Sequence, residues 1–190
     1  MGWEPQRRAA SRNREAILRA AAGLFAEHGV DRVDVRQIAA EAGVGMGTIY
    51  RRFGDKASVI ATLLDDQERA IQDDLLRGRP PLGPGAPAIE RLESFVRALA
   101  DHTERNLDLL FASEASAPAG RYRVGSYGAW HQHAAILIAD ADPSAQAGWL
   151  ADLVLAPLAP ALYRHHRRDR GLSAEEIAAN TVAAARRLIS

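Results

Sequence analysis

The sequence predicts an all-α protein, and three observations carry that prediction. Ala, Leu, Arg and Glu, all good helix formers, dominate the composition. No sustained run of β-branched residues alternates with period two, as a strand would require. Between glycine and proline breaks, apolar residues recur at spacings of three and four, the signature of amphipathic helices. With 190 residues, of which 47% are hydrophobic, the chain can bury a real core as one domain or two small ones. Disordered and collagen-like classes are excluded by the same figures. The chain holds no cysteine, which removes disulfides, thiol nucleophiles and zinc sites of the Cys type.

The elements follow in order. Ser11 or Asn13 can cap a first helix whose apolar positions Ile17, Ala21, Leu24 and Phe25 lie on one face, with Gly29 as its stop. Asp34 is the N-cap of a short second helix carrying Val35, Ile38, Ala39 and Ala42 on one side, ended at Gly43. A third short helix spans about Met46 to Phe53, with Ile49 and Phe53 facing inward and Gly54 as its cap. Asp55 begins a long helix, Lys56 to about Arg77, whose stripe is Ile60, Leu63, Leu64, Ile71 and Leu75. Residues 79–87, rich in proline and glycine, read as a loop. Further helices are predicted at 88–104, 106–116 and about 126–140, with a loop from Ala117 to Gly125. The apolar segment 144–168 must kink or divide at Pro157 and Pro160, and Ser173 with Glu176 forms a capping box for a last helix to Ile189.

Three short helices separated by glycine turns, the second and third joined by a tight one, make a helix-turn-helix. The predicted division is a DNA-binding domain over 1–56 and a larger helical domain over 57–190. Outward on the third helix remain Met46, Gly47, Thr48, Tyr50, Arg51 and Arg52, which is how a recognition helix meets a major groove. The formal net charge of zero conceals a split: residues 1–56 hold ten basic and seven acidic residues, residues 57–190 fourteen and seventeen. A basic head on an acidic body predicts modest, steeply salt-dependent affinity for nonspecific DNA. All the basic residues are arginine except Lys56. A cation in the first turn of a helix opposes the macrodipole by about 0.3–1 kcal/mol, whereas the amides there welcome a phosphate, so Lys56 is expected on the DNA backbone. Arg7, Arg8, Arg12 and Arg14 are either a mobile DNA-binding arm or a solvated basic tail.

The run Ile38-Ala-Ala-Glu-Ala-Gly-Val-Gly-Met-Gly-Thr-Ile-Tyr-Arg-Arg-Phe-Gly-Asp-Lys56 resembles the signature of the TetR family of transcriptional regulators. The resemblance covers about residues 12–62. It implies a helical effector domain and a homodimer, with Arg36 near base edges, Thr48, Tyr50 and Lys56 on phosphates, and Gly47 where backbone meets DNA. Gly45 and Met46 depart from the pattern: a serine-like cap is commoner at the first and a polar residue at the second.

In the second domain, Phe95, Phe111, Tyr127, Trp130, His133, Leu137 and Trp149 are the candidate walls of an effector pocket, and each has core packing as its alternative. An apolar or aromatic small molecule is the expected effector. His131 and His133, two apart, point to nearly opposite sides of a helix, so no metal is expected there, and no cofactor is indicated. Segments 144–168 and 173–189 carry more apolar surface than one inward face needs, in Trp149, Leu153, Leu158, Leu162 and Leu188, with Ala178, Ala184 and Ala185 permitting close approach. They are the predicted homodimer interface, over about 144–189, for reading the two halves of a palindromic operator in double-stranded DNA. The functional expectation is a repressor released by a small molecule, through the helix 56–77 shared by both domains. Two alternatives stand beside it: a dimeric DNA-binding protein without an effector, and a helical enzyme using His131, His133 or Glu114. No nucleophile with a paired base and no phosphate-binding loop supports the enzyme. The charged first residues lack the apolar stretch of a signal peptide, and the apolar run Leu153 to Tyr163 is short and holds prolines, so no membrane span and a cytoplasmic location are expected.

Overall fold

The computed structural model describes the backbone of residues 3–116 and 126–189, and the side chains of 10–115 and 126–189. The predicted loop Ala117 to Gly125 and the side chains of Arg7 and Arg8 lie outside the described residues. All regular structure among the described residues is helical. The chain divides into two units, Met1–Asp66 and Gln67–Ser190, ten residues beyond the boundary read from the sequence. The head extends further because Val59, Ile60 and Leu64, past that boundary, are buried.

The first unit contains α1 (Trp3–His28), a 3₁₀ turn (Val30–Arg32), α2 (Val35–Glu41), α3 (Met46–Phe53) and the start of α4 (Lys56–Arg77). Its buried side chains include Ile17, Ala21, Phe25, Val33, Ile38, Ala39 and Ile49. Helix α1 begins about ten residues before the predicted caps Ser11 and Asn13. Pro5 permits this, because first-turn residues have no intrahelical partner for the N–H that proline lacks. Ser11, freed from capping, donates its hydroxyl to Glu15 at 3.0 Å. Arg14 is drawn into the fold, its Nη2 3.1 and 3.0 Å from the two Asp66 carboxylate oxygens.

The second unit is built around α5 (Ala88–Arg105), followed by α6 (Leu107–Ser116), α7 (Tyr127–Ala141), α8 (Ala147–Leu155), a 3₁₀ turn (Ala156–Leu158), α9 (Pro160–Arg168) and α10 (Ala174–Leu188). Helix α5 packs on α7 and α10, α7 on α8, and α6 on α9. The prolines divide 144–168 as expected: Pro157 sits in the 3₁₀ turn, Ala159 is extended, and Pro160 opens α9. Ser173 and Glu176 form the capping box of α10. On α9, Arg167 grips both oxygens of Glu104 on α5, at 2.8 to 3.1 Å, and donates to the Leu172 carbonyl at 2.8 Å. These bonds hold the Glu104 carboxyl below its ordinary value. The stabilisation is therefore present at neutral pH and lost as pH falls through that lowered value. Arg167→Met is expected to cost about 1–2 kcal/mol in urea unfolding at pH 7, the pair being about one-third exposed. The cost should shrink in acid, and an equal cost at pH 7 and in acid would show that the pair does not contribute this way.

Candidate nucleic-acid interface

The local chemistry of the head fixes its geometry. Asp34 caps α2 reciprocally with Gln37: the Gln37 N–H donates to Asp34 Oδ1 at 2.9 Å, and the Asp34 N–H donates to Gln37 Oε1 at 2.8 Å. The bond from the Gln37 backbone first, and then the Arg36 guanidinium, lower the Asp34 carboxyl below its ordinary value. The turn between α2 and α3 passes through Gly43 at φ +65°, a conformation that favours glycine, and the Val44 N–H closes it on the Ala39 carbonyl at 3.0 Å. Gly45 is the N-cap of α3 and provides no side-chain bond, as its departure from the common pattern implied.

Helix α3 buries Ile49 completely and most of Phe53, the two side chains that the spacing turns inward. Opposite them stand Gly47 and Arg51, one turn apart. Met46 and Tyr50, both about half exposed, form one edge of the outward face; Thr48 and the exposed Arg52 form the other. Arg51 and Arg52 also complement the C-terminal dipole of α3. Arg36, on the first turn of α2, is exposed and reaches back to Asp34 Oδ2 at 3.4 Å. A Cβ added at Gly47 would meet nothing within 4 Å, so packing within the chain does not demand glycine there. The structure thus brings Gly47, Tyr50, Arg51 and Arg52 to one outward surface.

Lys56 has a different setting from the free phosphate-seeking cation read from the sequence. Its ammonium donates to the backbone carbonyls of Val30 at 2.8 Å and Val33 at 2.9 Å, which ties the first turn of α4 to the segment leading into α2. Two of its three hydrogens are committed within the fold. Spacing gave the helix position of Lys56; these two acceptors lie 23 and 26 residues away and left no mark in any local pattern.

In the second unit the seven aromatic and apolar candidates separate. Phe95, Trp130 and Leu137 are buried together in the core, with the Phe95 and Trp130 rings 6.0 Å apart and the His133 ring edge-on to Phe95 at 5.1 Å. Phe111 lies under the Arg164 guanidinium at 4.1 Å. Tyr127 donates to Asp152 at 2.7 Å. Trp149 is 64% exposed, which removes it from any pocket wall: the inward face of α8 is Ala151, Val154 and Leu155, on the far side of the helix. His131 approaches the Gly148 carbonyl at 3.0 Å, away from His133 and its Phe95. Of the residues expected at a dimer interface, Trp149, Leu153, Leu162 and Leu188 are exposed, whereas Leu158, Ala178 and Ala185 are buried within the unit itself.

Sequence reasoning passed over the polar residues of α5. His102, Thr103 and Asn106 are buried, with Asn106 Nδ2 donating to Gln67 Oε1 at 2.6 Å and to the His102 carbonyl at 3.0 Å. Burial, aided by the charge of Arg105, pulls the His102 imidazole down to about 4. Arg91 was missed too. Both residues fall at helical spacing from Phe95, one turn before it and two turns after, and that shared face was the available signal. Among the described residues no group of three His, Asp or Glu side chains is placed to hold a metal, and no helix is long and apolar enough to cross a membrane.

Known proteins match this arrangement in two ways. Residues 17–63 match the family model for bacterial regulatory proteins of the tetR family. An uncharacterized HTH-type transcriptional regulator of Mycobacterium bovis is 46% identical over 55 residues, 29% of either chain, so the match spans under a third of that relative's length. Two solved structures share the fold over nearly the whole chain. A transcriptional regulator from Saccharomonospora viridis in complex with choline has a TM-score of 0.69 at 22% identity, over 90% of this chain and 94% of its own. The regulator FadR from Bacillus subtilis in complex with stearoyl-CoA has a TM-score of 0.65 at 15% identity, over 90% and 96%. Residues 17–63 thus resemble the helix-turn-helix domain of the tetR family of bacterial regulatory proteins.

Proposed function

We propose that this chain is a cytoplasmic, homodimeric transcriptional repressor that binds a palindromic operator and leaves it when a small molecule enters the second unit. The observation that carries the reading is the outward face of α3, where Gly47, Tyr50, Arg51 and Arg52 stand on a helix anchored by the buried Ile49. Arg51 and Arg52 supply charge-assisted bonds to bases or phosphates, Tyr50 and Thr48 hydroxyls to phosphates, and Arg36 a second approach from α2. Gly47 allows the backbone close to the DNA. Dimerisation through the apolar residues left exposed on α8, α9 and α10 would set two recognition helices at a fixed separation. Helix α4 contributes residues to both units, so a rearrangement in the second can pass along one continuous helix and spoil that separation. The choline and stearoyl-CoA complexes of the fold neighbours support small-molecule control as the regulatory mode. The reading involves no catalysis.

Selection of bound sequences from random DNA tests it: a palindrome should be enriched, and no enrichment over the input would overturn the reading. Gly47→Gln separates DNA contact from folding. Since the position has open space and glutamine is the better helix former, stability should rise by up to about 1 kcal/mol. Affinity for the selected site should fall at least about tenfold, as one lost close contact of ~1.4 kcal/mol. Unchanged affinity would remove Gly47 from the interface.

A further inference from the structure

Among the described residues no carboxylate pairs with Arg91 on α5. Its one hydrogen bond among the described residues runs from Nη2 to the Leu75 carbonyl at 3.4 Å, long and neutral, and its Nε is buried with no partner. On α7, the His133 ring stands edge-on to Phe95 at 5.1 Å, one turn along α5 from Arg91, and it also buries an unpartnered atom, Nε2. The two are close enough that Arg91's charge, after burial itself, pushes the His133 imidazole below its ordinary value. Both side chains keep partial access to solvent, while Phe95 and Trp130 beneath them are buried. A buried donor without an acceptor costs about 1–3 kcal/mol, and a protein that retains two in one place usually has a partner for them.

Resting on the reading of the second unit as an effector domain, we infer that Arg91 and His133 anchor the carboxylate of a small organic acid. A carboxylate has two acceptor oxygens for the guanidinium fork, and the neutral imidazole can donate from Nε2 once its tautomer places the proton there. An ammonium ligand would meet the fixed charge of Arg91 and be repelled.

Calorimetric titration of the full chain with octanoate and phenylacetate tests this, with octanol and 2-phenylethanol as uncharged counterparts and choline as the cation. The acids should bind one per chain, roughly ten- to a hundredfold tighter than the alcohols, the range for charged hydrogen bonds. Choline should not bind at this site. Arg91→Met, which keeps the aliphatic stem, should abolish the preference for acid over alcohol, and Arg91→Lys should restore part of it. Circular dichroism and DNA affinity without ligand should match the wild type in both variants. Failure of both acids to bind at millimolar concentration, equal affinity for acid and alcohol, or a preference that survives Arg91→Met overturns the inference. An acid bound through Arg91 that leaves operator affinity unchanged upholds the site and defeats the effector reading. Release of the operator by another compound, with no acid binding, does the reverse.

Discussion

Replacing Trp149 and Leu153 together by glutamate is expected to give a folded monomer with at least about a thousandfold weaker binding to the selected operator, the usual gap between specific and nonspecific affinity. The two side chains lie one turn apart on the outer face of α8, at 64% and 41% exposure, and neither supports the core of its own unit. Leu188 on α10, which packs against α8, is exposed as well. Large apolar groups left outside in this way mark an interface, and a carboxylate at each would be stranded in its centre if two copies met there. Light scattering should show the wild type at twice the chain mass and the variant at one, with the helical spectrum unchanged. A variant that remains dimeric would place the interface elsewhere; a wild type already monomeric would remove the dimer from the proposed function.

Lys56→Met should have two separable consequences. The Val30 and Val33 carbonyls lose their donor, which lowers the stability of the head by roughly 1–3 kcal/mol, since the site is only partly buried and water can replace part of the loss. Methionine preserves the stem and its packing, so that loss belongs to the ammonium. The third hydrogen of the ammonium remains for a DNA phosphate, and removing it should weaken binding to all sequences alike and reduce the salt slope by about one. Lower stability with an unchanged slope would leave Lys56 as an internal strut alone. A reduced slope with unchanged stability would leave it as a phosphate contact alone.

The elements most legible in the sequence were those whose cause is local. Asp34 as the cap of α2, Ser173 with Glu176, and Pro157 with Pro160 each act within a turn or two, and each appears where its spacing puts it. The recognition helix was legible for the same reason, because Ile49 alone fixes which side faces out. Where α1 begins was misread, since a proline in a first turn marks a helix start as readily as Ser11 or Asn13 does. The second unit was harder. Trp149 belongs to an aromatic-rich region, yet a one-sided helix turns it to solvent, and only the packed neighbours of α8 decide that. Arg91 and His102 sit on the apolar stripe of α5, and a reading that follows apolar residues passes over the polar ones among them.

The lysine at the start of α4 has one more consequence, a chemical one. It is the sole side-chain amine in the chain, and acylating reagents attack only the unprotonated, unencumbered form of such a group. Held by two carbonyls, it is a poor nucleophile until the segment carrying Val30 and Val33 lifts away. The rate at which a single label enters at that residue is therefore a direct clock for opening of the head, readable by mass spectrometry with and without DNA.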